Sequence, residues 1–201
     1  MFTGIVTELG SVVATAATAA GHRLVVAAPG TVRGMVIGDS VAVNGVCLTA
    51  VAIDGDEIAL DVVGETLGRT TLGGLRPGDA VDLERPMPAS GRFDGHVVQG
   101  HVDGVGHLID VAAEGGAARL RIATPVPLAR YLVEKGSVTV DGVSLTVTAV
   151  SPAGEPAWFE VVLIPHTLVV TVLGRRGLGD AVNLEVDVIA KYVERMMEVG
   201  S

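Results

Sequence analysis

The chain has 201 residues, short for two average domains but enough for two small ones, and its 49 % hydrophobic content includes only 3 % aromatic side chains. The net charge is −9, shared as 6 basic and 11 acidic side chains in residues 1–96 and 8 and 12 in residues 97–201, so no basic stripe is present and nucleic acid is excluded as a partner. No charge-free apolar run is long enough to span a bilayer, and the single cysteine, Cys47, excludes an intrachain disulfide framework and suits a reducing cytoplasm.

The opening residues, Met1-Phe2-Thr3-Gly4-Ile5-Val6-Thr7-Glu8, lack the basic stretch and long apolar run of a secretory leader. The 27 glycines and 9 prolines are spread along the chain, which predicts many short strands joined by tight turns. The first strong hairpin signal is Asn44-Gly45. Beyond it Val46 and Leu48 fall on one strand face, and Cys47 and Thr49 on the other. Gly78-Asp79-Ala80-Val81-Asp82-Leu83-Glu84 reads as a further turn and strand. Later, Val138 and Val140 alternate with polar residues up to a second turn, Asp141-Gly142. Val143, Leu145 and Val147 then share one face, opposite Ser144, Thr146 and Thr148.

These segments show that the chain is written twice. Gly38-Asp39-Ser40-Val41-Ala42-Val43-Asn44-Gly45-Val46-Cys47-Leu48-Thr49 matches Lys135-Gly136-Ser137-Val138-Thr139-Val140-Asp141-Gly142-Val143-Ser144-Leu145-Thr146, an offset of 144 − 47 = 97. Gly78 to Glu84 matches Gly179 to Glu185, an offset of 185 − 84 = 101, and the loop Ser151 to Pro156 absorbs the difference. Gly4-Ile5-Val6 matches Gly100-His101-Val102. So long a period fits a duplicated β domain rather than a solenoid. Only the tail reads as a helix: Ile189, Tyr192, Val193 and Met196 recur at helical spacing behind an N-cap residue, Asp187. Its apolar stripe favours pairing with other subunits over packing on its own barrel.

Met1 to Val6, Asn44 to Thr49, Gly95-His96 with Gly100 to Gly104, Asp141 to Thr146, and Leu163-Ile164-Pro165-His166-Thr167-Leu168 together resemble the riboflavin synthase family over essentially the whole chain. The resemblance implies an all-β fold of two six-stranded antiparallel Greek-key barrels in tandem plus a short C-terminal α-helix. The expected units are 1–96 and 97–186, each binding lumazine, and 187–201, an oligomerisation helix. It implies a homotrimer that converts two molecules of 6,7-dimethyl-8-ribityllumazine to riboflavin and 5-amino-6-ribitylamino-pyrimidinedione, with the reacting pair between subunits and no metal or organic cofactor. Lumazine synthase enters as a partner of the same kind, with no residue here that indicates it.

Carried over position by position, the first site takes Gly4, Ile5, Val6, Cys47, Leu48, Thr49, Asp61, Val62, Val63, Gly64, Glu65 and Thr66. The second takes Gly100, His101, Val102, Lys135, Ser144, Leu145, Thr146, Val162, Leu163, Ile164, Pro165, His166 and Thr167. His166 stands where some members carry Glu, whereas the first copy keeps Glu65.

The reaction asks for two identical rings held face to face, one losing a proton from its C7 methyl group and the other made electrophilic. Matched shapes come from the duplication, and unlike roles from the positions at which the copies differ. Cys47 becomes Ser144, Gly38 becomes Lys135 and Ile5 becomes His101, so the second copy gains a hydroxyl, an ammonium and an imidazole. The expected roles are His101 as proton carrier, Ser144 as nucleophile or positioner of water, Lys135 as stabiliser of ring charge, and Asp187 as orienter of Ser144 or of a proton carrier. His96 and His101 offer no third ligand at metal-site spacing. The rival reading is a non-catalytic lumazine- or flavin-binding antenna or carrier. Catalysis is favoured because both copies keep Gly-Val-(Cys/Ser)-Leu-Thr. A flavin-binding reductase domain would usually bring a nicotinamide domain, and no Gly-x-Gly-x-x-Gly opens a helix here.

Overall fold

The turn chemistry read from the sequence closes two hairpins of the same type. Asn44 and Gly45 adopt φ of 46° and 76°, and Asp141 and Gly142 adopt 46° and 86°. Positive φ at both central residues is what a two-residue type I′ turn requires. The computed structural model describes residues 1–199, so the last two residues of the expected 187–201 tail lie outside the described residues.

The first copy supplies β1 (Glu8–Thr18), β2 (Gly21–Ala27), β3 (Ser40–Val43), β4 (Val46–Asp54), β5 (Glu57–Val63), the short helix α1 (Gly64–Arg69) and β6 (Ala80–Glu84). The second repeats the order with β7 (Gly104–Glu114), β8 (Ala117–Ala123), α2 (Val126–Ala129), β9 (Ser137–Val140), β10 (Val143–Val150), β11 (Trp158–Leu163), α3 (Pro165–Val170) and β12 (Ala181–Val186). Helix α4 (Val188–Val199) follows. The first six strands close in the order β1-β2-β5-β4-β3-β6 and the second six in the equivalent cyclic order. In each, the last strand returns beside the third, which is the Greek-key path. The register slips at Val12/Ala14 and Ala50/Ala52 in the first barrel, and at the matching Leu108/Asp110 and Val147/Ala149 in the second. Such bulges bend strands enough to close a small barrel.

Alternation fills each barrel separately. Val26, Val41, Val43, Leu48, Ile58, Leu60, Val81 and Leu83 pack the first, and Leu120, Ile122, Val138, Val140, Val147, Phe159, Val161 and Leu184 the second. Each fully buried side chain of this size contributes about 1.5–3 kcal/mol. A third, small cluster of Phe2, Ala42 and Val98, with Cys47 against it, lies where the N-terminal segment crosses the inter-barrel segment. The barrels meet about a pseudo-two-fold axis at their hairpin tips, where a β-carbon on Gly45 would lie 2.6 Å from the Gly142 nitrogen. Side chains tie the seam: Asn183 Nδ2 donates to the Asn44 carbonyl at 2.8 Å, and Asp82 Oδ1 accepts from the Val172 N–H at 2.8 Å.

Asp187 caps α4 as its position predicted, its carboxylate accepting from the Ile189 N–H at 2.9 Å. The helix is pinned to its own second barrel by Lys191 on Asp103 and by Glu194 on Arg130 and Tyr131. Ile189, Tyr192, Val193 and Met196 remain exposed, so these bonds do not cover the apolar stripe. Among the described residues, no helix is long and apolar enough to cross a membrane.

Candidate active site on two exchanged glycine segments

Strands β4 and β10 present the faces that their alternation predicts. Val46 and Leu48 are buried while Cys47 is half-buried and Thr49 exposed. On β10, Val143 and Val147 are buried, Ser144 and Leu145 half-buried and Thr146 exposed. Each barrel therefore offers one small polar pair on its outer wall.

The segments lying against these pairs correct the grouping expected from the repeat. Gly4 does not lie against Cys47 of its own copy: its carbonyl accepts from the Ser144 N–H at 2.8 Å. The Gly100 carbonyl accepts in turn from the Cys47 N–H at 2.9 Å. Val6 packs on the second core and Val102 on the first. The two segments are thus exchanged between barrels. Both glycines are left-handed, with φ of 77° and 76°. A β-carbon on Gly4 would stand 2.6 Å from Ser144 Cβ, and one on Gly100 2.7 Å from Cys47 Cβ. Only glycine reconciles that φ with that approach.

Ser144 finds its imidazole at His96, whose Nδ1 lies 2.7 Å from Ser144 Oγ while Nε2 lies 3.2 Å from Thr139 Oγ1. If Nε2–H donates to Thr139, Nδ1 is free to accept from the serine hydroxyl. Burial lowers the His96 pKa below the ordinary imidazole value, with the charge of Asp187 pulling weakly upward. His96 is therefore neutral and proton-accepting at neutral pH.

The other residues expected beside Ser144 stand apart from it. Among the described residues, neither the His101 ring, the Lys135 ammonium nor the Asp187 carboxylate is bonded to Ser144. His101 is exposed and held through its main-chain N–H by Glu185. Lys135 takes a left-handed φ of 69°, donates its N–H to the Val147 carbonyl and leaves its ammonium exposed, 4.0 Å from Glu134. Asp187 caps α4 and reaches the site only through its field on His96. The repeat comparison passed over His96 because, four residues before Gly100, it has no counterpart in the first copy of this sequence.

The two segments where β5 runs into α1 and β11 into α3 have matching exposure. Asp61, Val63, Gly64 and Glu65 are exposed around a buried Val62, with Thr66 half-buried; Val162, Ile164, Pro165 and His166 are exposed around a buried Leu163, with Thr167 half-buried. Val62 and Leu163 therefore turn their side chains into the barrel cores and leave only main chain toward the surface. Asp61 is paired with Arg23 at 2.7 Å, and Glu65 with Arg69. Near the second segment a cleft of about 440 Å³ is lined by Val6, Thr7, Glu8, Leu9, His166, Val169 and Val170. It joins a segment of the first copy to the α3 region of the second, in line with the exchange.

Two equivalent closed barrels, each with a glycine-braced polar pair on its wall, define a tandem β-barrel protein with two surface sites of one design. The lumazine-binding domain family matches the chain twice, over residues 3–86 and 99–187. The chain is 50 % identical over 198 residues to the riboflavin synthase of Mycobacterium tuberculosis, covering 98 % of each, and 41 % identical to that of Actinobacillus pleuropneumoniae, covering 98 % of this chain and 90 % of the relative. Among solved structures, LumP complexed with riboflavin superposes with a TM-score of 0.84 at 25 % identity, covering 92 % of this chain and 99 % of LumP. The chain belongs to the riboflavin synthase family.

Proposed function

We propose that this protein makes riboflavin by dismutation, transferring a four-carbon unit between two molecules of 6,7-dimethyl-8-ribityllumazine and releasing 5-amino-6-ribitylamino-pyrimidinedione. No oxidant is needed, because the two substrates and two products balance in every element. The observation that carries the reading is that both barrels keep a glycine-braced wall of the same design, which suits a reaction between two copies of one substrate. One lumazine would rest on Cys47, Leu48 and Thr49 with Gly100, His101 and Val102 and the strand-to-helix segment 61–66. The other would rest on Ser144, Leu145 and Thr146 with Gly4, Ile5 and Val6 and the strand-to-helix segment 162–167.

Holding two rings in reacting order lowers a bimolecular barrier by up to about 7–11 kcal/mol. The proton chemistry falls to the second barrel. Neutral His96 accepts the Ser144 proton, and the serine oxygen then adds to C7 of one lumazine or activates water there. Loss of a proton from the C7 methyl of the other lumazine gives the carbanion that forms the new bond. Exposed His101 and Lys135 are suited to that transfer and to the ring's anionic charge if a neighbouring subunit completes the site. Three chains would assemble through α4, whose exposed stripe of Ile189, Tyr192, Val193 and Met196 supports it. A cytoplasmic setting and a lumazine synthase partner belong to the same proposal.

The deciding experiment gives purified protein 6,7-dimethyl-8-ribityllumazine alone and follows riboflavin absorbance. One riboflavin per two lumazines consumed supports the reading. Binding without riboflavin moves the protein to the antenna or carrier class.

A further inference from the structure

Two buried carboxylates have no part in the proton chemistry. Glu84 ends β6, and Glu185 occupies the matching place in β12. They are only 6 % and 3 % exposed, and neither is paired with a basic side chain among the described residues. Main-chain and hydroxyl donors surround them instead. Glu84 Oε1 accepts from the Thr3 N–H at 2.7 Å and the Thr3 hydroxyl at 2.8 Å, and its Oε2 accepts from the Gly4 N–H at 3.0 Å. Glu185 Oε1 accepts from the Gln99 N–H at 2.7 Å, and its Oε2 from the Gly100 and His101 N–H groups, both at 2.9 Å.

Burying a charge without a directly paired cation is unfavourable, and burial does push both carboxyls up while the hydrogen-bond donors, and at Glu84 also the charge of the N-terminal ammonium, pull them back. Three donors converge on each group, a demand that two acceptor oxygens meet. Glutamine would turn an NH2 group toward an N–H and leave a buried donor unpaired. Each carboxylate therefore fixes a piece of main chain, and that piece is a glycine segment that presses on the opposite barrel.

We propose that Glu84 and Glu185 are positioning residues, each holding its own barrel's glycine segment against the substrate-binding strand of the other barrel. This rests on the reading of β4 and β10 as the lumazine-binding strands. Through Gly100, Glu185 of the second barrel shapes the wall at Cys47 of the first. Through Gly4, Glu84 of the first barrel shapes the wall at Ser144 of the second. The two clamps differ in one respect. Glu185 bonds the His101 N–H directly, whereas Glu84 reaches Ile5 only through Thr3, whose Oγ1 donates to Glu84 and accepts from the Ile5 N–H at 3.3 Å.

The crossing makes the proposal separable from a merely structural role, with Cys47 as the reporter. Glu84→Gln and Glu185→Gln in the full chain are compared for Cys47 alkylation by iodoacetamide without substrate, and for kcat and KM with 6,7-dimethyl-8-ribityllumazine. E185Q is expected to speed alkylation about tenfold, the shift that follows from loosening one buried hydrogen bond. E84Q should change that rate far less, although Glu84 lies in the same barrel as Cys47 and its segment carries Phe2, which packs near Cys47, because the glycine that Glu84 holds presses on Ser144 and not on Cys47. Both variants should lose kcat by about tenfold to a hundredfold, with a smaller change in KM. Should E185Q fold poorly by circular dichroism, Glu185→Asp, which keeps the charge but shortens the reach, is read in its place. Faster alkylation in E84Q and not in E185Q or E185D, or equal acceleration in both, overturns the proposal. Absence of riboflavin formation by the wild type would remove the lumazine reading alone, since the alkylation pattern decides the clamp by itself.

Discussion

Asp82 and Asn183 occupy equivalent places in the last strands of the two barrels, and each accepts one main-chain N–H from the opposite barrel, Val172 and Thr71 respectively, at 2.8 Å. Only Asn183 also returns a bond, from its amide to the Asn44 carbonyl. Asp82 Oδ2 is buried with no hydrogen-bond partner among the described residues. A protonated carboxyl can donate where a carboxylate cannot. Burial pushes the Asp82 pKa up to about 8 against the pull of the Val172 N–H, and the charge of Asp141 adds a push that exceeds the separate pulls of Arg176 and Arg175.

The pH dependence of the seam follows from that shift. Because the folded-state pKa of this acid is raised, the folded form binds the extra proton. Stability therefore falls as pH rises from near the unfolded value of 3.8 to about 8, and levels off above that. Asp82→Asn should flatten this dependence and raise the melting temperature above pH 8. Thermal melts of both proteins between pH 6 and 9 check it, and parallel curves would contradict it.

Asp141 is fully buried and its ion pair with Arg176 spans 2.8 Å. Removing the guanidinium leaves an unpaired buried acid beside Asp82. Arg176→Met should destabilise the protein by about 3 kcal/mol in urea denaturation, and Asp141→Asn in the same chain should recover part of the loss.

Ser144 and His96 should behave as one unit. Ser144→Ala and His96→Ala are each expected to lower kcat by about a hundredfold, with the double variant no worse than the poorer single. The lowered His96 pKa places the acid limb of the wild-type profile below the ordinary imidazole range, and that limb should disappear in His96→Gln. Additive losses in the double variant would separate the two residues.

Gly100→Ala tests the exchanged segment against a matched control. Gly34 has a similar φ, 72°, with nothing within 4 Å of its added β-carbon, whereas at Gly100 the carbon would meet Cys47 Cβ at 2.7 Å and its backbone nitrogen at 2.9 Å. Gly34→Ala should cost about 1–2 kcal/mol for the left-handed backbone alone. Gly100→Ala should cost clearly more and reduce turnover. Equal stability losses in the two variants would show that the contact at Cys47 is not tight.

The proposed trimer places the exposed face of α4 in its interface. Sedimentation should give the mass of three chains for the wild type, and a charge at Met196 or Tyr192 (Met196→Asp, Tyr192→Asp) should shift it toward one. An unchanged mass in both variants would place the interface elsewhere.

Much of this architecture was legible in one dimension because it rests on local chemistry. Asn44-Gly45 and Asp141-Gly142 specify their hairpins by the φ angles these residues tolerate, and alternation alone turns Cys47, Thr49, Ser144 and Thr146 outward. Asp187 announced the start of α4, and the repeat announced two barrels of one design. Glu84 and Glu185 were visible as matched residues, but nothing local says that three donors converge on each.

What only the tertiary structure decided is which copy each segment serves. A repeat identifies equivalent residues; it carries no information about whether Gly4 packs on its own barrel or on the other, because both arrangements satisfy the same alternation and the same turns. The choice is made by long-range main-chain bonds, Gly4 to Ser144 and Gly100 to Cys47, and by the packing of half-buried Val6 and Val102 against the opposite cores. The same crossing brings His96 to Ser144 across 48 positions. Sequence therefore determined the family, the two barrels and the residues of the two walls. Packing determined their partners, because burial and hydrogen-bond satisfaction are properties of the closed pair of barrels and not of either copy read alone.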